Sequence, residues 1–288
     1  MKVLVTGAAG QVGRAFRAAA PAGTVAVALS HADLDITDEH EVRRVVAAHA
    51  PQWIVNAAAY TAVDAAEDAR EAAHLLNATA VGYLADVARD SHARLLQLST
   101  DFVFDGCRST PYEPDALPAP IGAYGASKLA GEREAVRGGA QSIIVRTSWV
   151  YASYGQNFVR TMLRLMAAKS EVRVVCDQIG CPTWAGSLAQ VLWRLITINA
   201  AAGIYHWCDA GVASWYDFAV AIQEEAVARG LLERAVPVLP IRSAQYPSAA
   251  QRPPYSVLDA AHTRTLTGAP AVHWRAQLRR MLDELAAA

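Results

Sequence analysis

Apolar and polar positions alternate along the chain in two periods. Short β-branched runs have the length and character of buried strands: KVLVTG (2–7), TVAVALS (24–30), WIVNAAA (53–59), RLLQLST (94–100) and SIIVRTSWVY (142–151). Between them lie QVGRAFRAAA, DEHEVRRVVAAHA, AAEDAREAAHLLNATAVGYLADVARD and ASKLAGEREAVRG. Each is apolar on one stripe and charged on the other, as in helices laid on a sheet. Apolar strands joined by such helices predict an α/β fold, a doubly wound parallel Rossmann sheet covered on both faces. Asp38 and Glu41, just ahead of an apolar stripe, mark a helix start.

The alternation weakens after Tyr151. Residues 1–150 are expected to form a dinucleotide-binding domain, and 151–288 mainly a smaller C-terminal lobe for substrate. A return strand, VRVVCDQ (172–178), is expected to extend the sheet. Trp- and Pro-rich segments at 181–187, 205–218 and 246–258 are assigned to the lobe. Residues 105–123 carry four prolines and read as a long loop between strand and helix, the kind that borders a site.

A net charge of −1 over 288 residues offers no bulk attraction to nucleic acid; a local basic pocket for one phosphorylated ligand is compatible with it. The four cysteines, Cys107, Cys176, Cys181 and Cys208, form no Cys-x-x-Cys, which argues against a metal site and for a reducing compartment. No apolar run reaches the ~18 residues of a membrane span. KVLVT is too short for a signal-peptide core. The expectation is a cytoplasmic protein with no membrane or nucleic-acid partner and no metal.

TGAAGQVGR sets Gly7, Gly10 and Gly13 directly after the first strand and at the opening of a helix. Glycine there lets the backbone turn sharply and meet a pyrophosphate at a helix N-terminus. The second strand ends near Ser30-His31, neither acidic nor cationic. A hydroxyl and an imidazole can hydrogen-bond a 2′-phosphate, so NADPH is expected, with use of both NADPH and NADH as the fallback. Asp35 and Ile36 could frame the adenine; Asp35 could equally start a helix.

YGASK places Tyr124 and Lys128 four residues apart on one helix face, in a chain that holds three lysines against 23 arginines. A free phenol has a pKa near 10. A compact ammonium beside it would lower that value and could also hold a cofactor ribose. Strand four ends in Ser99-Thr100, at the edge where open α/β sheets bind ligands. Thr100, Tyr124 and Lys128 around a nicotinamide, with Ser99 beside them, suit ketone reduction with Tyr124 as proton donor.

With these motifs the chain resembles the extended short-chain dehydrogenase/reductase family and, within it, the dTDP-4-dehydrorhamnose reductases. NAAAYTAVDAAE (56–67), STDFVFDG, GQNFV (155–159), DQIGCPT (177–183) and RPPYSVLD (252–259) follow in the expected order. The resemblance implies reduction of the 4-keto group of dTDP-6-deoxy-L-lyxo-4-hexulose to dTDP-L-rhamnose. It implies that Gly7, Gly10, Gln11 and Val12 hold the pyrophosphate and that Ala57, Ala58, Ala59 and Tyr60 line the cofactor. Thr61, Val63, Asp101, Trp149 and Asn157 become the sugar-side residues. Arg252 could pair with a substrate phosphate or anchor its own loop through a carboxylate.

Two departures matter. Phe102 stands where a tyrosine is usual, removing a phenol near substrate. Some members bridge dimers with magnesium through glutamates, but GRAFRA (13–18) and PTWAGS (182–187) carry no acid. A monomer or weak dimer without bridging magnesium is therefore expected. Thr100-Asp101-Phe102 also lacks the glutamate of sugar dehydratases. A 4-reductase or epimerase acting on another dTDP-6-deoxy-hexulose, and a non-catalytic nucleotide-binding regulatory subunit, are the competing readings.

Overall fold

The computed structural model describes residues 1–137 and 141–287. The five expected strands form as β1 (Lys2–Thr6), β2 (Val25–Leu29), β3 (Trp53–Asn56), β4 (Arg94–Thr100) and β5 (Ser142–Thr147). Later in the chain come β6 (Val172–Val175), β7 (Gly203–His206) and β8 (Val238–Ile241). One six-stranded sheet has the order β7-β5-β4-β3-β1-β2, and every pairing in it is parallel. The order reverses at β1, so a crevice opens at its carboxyl end, where such sheets take ligands.

Side chains alternate across this sheet. Val3, Val5, Val55, Leu96, Leu98, Ile143 and Val145 face one side and meet Ala15 and Phe16 of helix α1 (Gln11–Ala18). Leu4, Ile54, Leu95 and Ile144 face the other. There they pack on α2 (Glu39–His49), α3 (Ala80–Asp90) and Ala135 of α4 (Ala123–Val136). Asp38 caps α2, accepting from the Glu41 backbone N–H at 3.0 Å, as its sequence position predicts.

The expected sheet extension at 172–178 is not what forms. β6 pairs in parallel with β8 in a separate two-stranded sheet. Arg173 is exposed on one face of β6, while Val172 and Val174 lie buried on the other. That face joins the small lobe's core with α5 (Phe158–Ala168), α7 (Trp215–Val227) and α8 (Trp274–Ala286). The sixth strand is β7, from a segment partly assigned to the lobe. Helix α6 (Ala185–Thr197) likewise belongs to the sheet's outer layer. The Trp193 and Phe16 rings stack at 4.1 Å, and Trp193 Nε1 donates to the Phe16 carbonyl at 2.7 Å. Among the described residues no helix is long and apolar enough to cross a membrane.

Candidate active site

The glycine turn closes as its composition demands. Gly7 has φ +65°, and the Gly10 N–H donates to its carbonyl at 3.0 Å. A Cβ on Gly7 would stand 2.5 Å from the Ala58 nitrogen, and one on Gly13 would stand 2.4 Å from the Gly7 oxygen. The turn is thus pressed against the chain leaving β3, with Gln11 and Val12 opening α1 beside it and Ala57–Tyr60 half-buried opposite. The bare backbone leaves a cradle that side chains would fill, which fits a pyrophosphate.

Two residues overlooked in the sequence hold this cradle. Asn56, fully buried, accepts from Thr6 Oγ1 at 2.6 Å and the Ala58 N–H at 3.1 Å, and donates to Gln97 Oε1 at 2.8 Å. Asn77 sits in a π-helical turn, Leu75–Thr79, that interrupts the helical run. Such bulges recur at functional sites. Its amide accepts from the Tyr60 N–H at 2.9 Å and donates to the Tyr60 carbonyl at 3.0 Å and to Ser127 Oγ at 3.0 Å. Ser127 in turn donates to the Tyr124 carbonyl at 2.8 Å. One amide therefore ties the loop after β3 to the Tyr124 helix. Asn77→Ala should cost about 1–3 kcal/mol, the desolvation of the polar groups it abandons, and should weaken NADPH binding. Thermal melts and fluorescence titration with NADPH check both.

β4 delivers Ser99 and Thr100 at the crevice. The Ser99 hydroxyl is already committed, donating to Glu132 at 2.5 Å. Thr100 Oγ1 donates to Asp101 Oδ1 at 3.1 Å and accepts from the Phe102 N–H at 3.2 Å. Helix α4 brings Tyr124 and Lys128 over this strand end. Lys128 Nζ donates to the Leu98 carbonyl at 2.7 Å. The Phe102 ring meets Tyr124 edge-on, with centroids 5.6 Å apart. Burial pushes the Tyr124 phenol up to about 12, with the nearby Thr100 hydroxyl pulling it down and Asp101 pushing it further up. The ring is only half-buried, but protein crowds it closely. The acidic phenol expected beside an ammonium is thus absent from the protein alone. Burial also depresses Lys128, to about 8, against an opposing pull from Glu132.

The remaining predicted residues divide. Asp101 is not at an open surface. It is almost fully buried, burial lifts it to about 7, and Oδ2 has no partner. Thr61 is exposed and Val63 half-buried at the start of the following loop. Asn157 caps α5: Oδ1 accepts from the Arg160 N–H at 3.1 Å, while Nδ2 donates to Gln11 Oε1 at 2.9 Å and Ala152 O at 2.8 Å. Its amide is spent on tying the lobe to the glycine turn. Trp149 has φ +46° and stacks on Trp215 at 3.5 Å, while Gly180 lies against its indole, where a Cβ would fall 2.5 Å from Cε2. Arg252 takes the carboxylate option, pairing with Asp64 at 2.7 Å. At the tip of β2, Ser30 donates to Asp33, a residue not singled out in the sequence, at 2.6 Å, and His31 is exposed. Asp35 accepts from Thr37 in a local turn, and Ile36 is buried in the core. No group of three or more His, Cys, Asp or Glu among the described residues is placed to hold a metal.

A glycine cradle at the sheet's switch point, with Thr, Tyr and Lys meeting at a neighbouring strand end, defines an oxidoreductase of the extended short-chain dehydrogenase/reductase type. Within that class, the chain belongs to the RmlD substrate binding domain family, whose model matches residues 1–287. It is 40% identical over 285 residues to a dTDP-4-dehydrorhamnose reductase of Aggregatibacter actinomycetemcomitans, covering 96% of this chain and 97% of that one. It is 41% identical over 277 residues to a dTDP-4-keto-6-deoxy-D-glucose reductase of Streptomyces niveus, covering 96% and 94%. The crystal structure of dTDP-4-dehydrorhamnose reductase from Bacillus anthracis in complex with NADP superposes with a TM-score of 0.91 at 36% identity, over 98% of this chain and 99% of that one.

Proposed function

We propose that this chain reduces the 4-keto group of dTDP-6-deoxy-L-lyxo-4-hexulose to give dTDP-L-rhamnose, using NADPH. The observation that carries the reading is the convergence of Thr100, Tyr124 and Lys128 at the carboxyl end of β4, with β3 between it and the strand that leads into the glycine cradle. Gly7, Gly10, Gln11 and Val12 would hold the cofactor's pyrophosphate, and Ala57–Tyr60 and Lys128 its nicotinamide half. Bound, the cofactor supplies the hydride. Thr100 Oγ1 orients the ketone oxygen and donates to it as charge develops. Tyr124 gives that oxygen its proton. A phenol lifted to about 12 starts protonated, and the alkoxide it serves is far more basic than phenolate, so the transfer runs downhill. Lys128 places a positive charge beside the incipient phenolate. Phe102 supplies an apolar edge against the phenol in place of a hydroxyl.

The test is a coupled assay. dTDP-glucose, a 4,6-dehydratase, a 3,5-epimerase and NADPH are combined with the protein, the nicotinamide absorbance is followed, and the product sugar is identified. Nicotinamide oxidation yielding dTDP-L-rhamnose supports the reading; no oxidation removes it. A second reading, reduction of a related dTDP-4-keto-6-deoxy sugar, draws on the equal similarity to the Streptomyces niveus reductase. Faster turnover without the epimerase would favour it.

The protein should also run as a monomer or weak dimer that ignores chelators, because the first turns of α1 and α6 carry no acid. Gel filtration with and without EDTA checks this; a dimer that dissociates on chelation would refute it.

A further inference from the structure

Glu132 has no part in the reaction as described, yet it is one of the most enclosed charges in the protein. It lies one helical turn beyond Lys128 on α4 and is 4% exposed. The two side chains dock on consecutive residues of β4. Lys128 Nζ donates to the Leu98 carbonyl at 2.7 Å, and Glu132 Oε1 accepts from Ser99 Oγ at 2.5 Å. Arg146, 2% exposed on β5, closes a bidentate pair with Glu132, Nε to Oε1 at 2.8 Å and Nη2 to Oε2 at 2.7 Å. Arg146 Nη1 also donates to the Pro114 carbonyl at 3.2 Å, in the loop that borders the site. Packed apolar side chains often serve a core as well as a buried ion pair does, so stability alone is a weak reason to keep this one.

We propose that Glu132, with Arg146 as its counter-ion, is a positioning residue that holds Lys128 as an ammonium at the end of β4. The assignment rests on Lys128 belonging to the reductive site. Burial works against its charge, and Glu132 is the carboxylate that opposes that loss. Tyr124 shares the helix with Lys128, Asp101 beyond the end of β4 acts on that phenol, and Arg146 on β5 is paired with Glu132. His206 on β7 faces Arg146 at 3.4 Å, and burial with that guanidinium pushes it down to about 3, so it stays neutral. Arg146 pins the Glu132 carboxylate through two hydrogen bonds, and Ser99 fixes the height of the pair on β4.

Three lysines in the chain make the test direct. The full-length protein is labelled with ¹³Cε-lysine, and Lys128 is assigned by replacing Lys2 and Lys169 with Arg. In the parent, the Lys128 signal should remain that of an ammonium through neutral pH. In Glu132→Gln, its titration and the basic limb of the kcat profile should both move to lower pH by about one unit, a tenfold change in proton concentration. Glu132→Asp, which keeps the charge, should restore most of the parent behaviour. A purely structural role would lower kcat evenly across pH and leave the titration in place. A folded Gln variant with the parent titration overturns the proposal, as does a parent Lys128 that is neutral at pH 7. Should the Gln variant fail to fold, a Glu132→Asp titration displaced as far as one unit overturns it too. The resonance needs no turnover, so its failure is separable from failure of the substrate assignment.

Discussion

Tyr124→Phe should lower kcat by about 10²–10⁴-fold, the usual span for removing a positioned general acid. NADPH affinity should stay close to that of the parent, since the ring and its edge contact with Phe102 survive. The pH dependence sharpens the test. With the phenol at about 12, the donor stays protonated throughout the working range, so Tyr124 should add no limb to the reduction profile below that value. The basic limb should instead report Lys128, depressed to about 8. Oxidation of the product alcohol needs the phenolate, so the reverse rate should climb with pH where the forward rate does not. Fluorescence titration and steady-state profiles in both directions check these outcomes. A Phe variant that keeps more than about a tenth of the parent turnover removes Tyr124 as the donor.

The parts of this architecture that local chemistry decides were legible in the residues. β-branched runs, the three-glycine turn and the Asp38 cap each act within a few residues, and each formed where its pattern points. The sixth strand is a different kind of question. VRVV at 172–175 and GIYH at 203–206 are equally short, and a parallel strand's partner lies far off in sequence. Tertiary packing separates them: the first joins the lobe's core beside β8, the second the edge of the main sheet beside β5. The same limit applies at the site. Tyr124 and Lys128 share a helix face by spacing, but how deeply they are buried comes from tertiary packing. That depth reverses the expected direction of the phenol's shift. The resemblance sets Asn157 on the sugar side; its position directly before an apolar helical run is also that of a cap, a role its oxygen takes. Asn77 carries no signal in the sequence beyond being a lone amide in an Ala-rich helical run. The π turn that turns it inward breaks the very period by which helices are read.

Gly125, next to the phenol, offers the second large effect and a contest of signs. It lies in the first turn of α4, where helix propensity alone would make Ala the better residue by about 1 kcal/mol. Packing opposes this. A Cβ there would fall 2.1 Å from the Phe102 oxygen, 2.9 Å from its carbonyl carbon and 3.1 Å from Pro120 Cβ. These are backbone and ring atoms, with no side-chain rotation to relieve them. The start of α4 must therefore back away from the loop that follows Thr100, by an amount on the order of 1 Å, and Tyr124 travels with it. Displacement of that size between reacting groups costs about 10²-fold. Overpacking of this kind costs about 1–3 kcal/mol, enough to outweigh the propensity gain. Gly125→Ala should therefore melt at lower temperature than the parent and lose about 10²-fold in kcat, with its Tyr124 hydroxyl chemically intact. If the variant instead proves more stable and turns over like the parent, the tight seat of this helix on the strand-four loop is not what aligns the proton donor with Thr100.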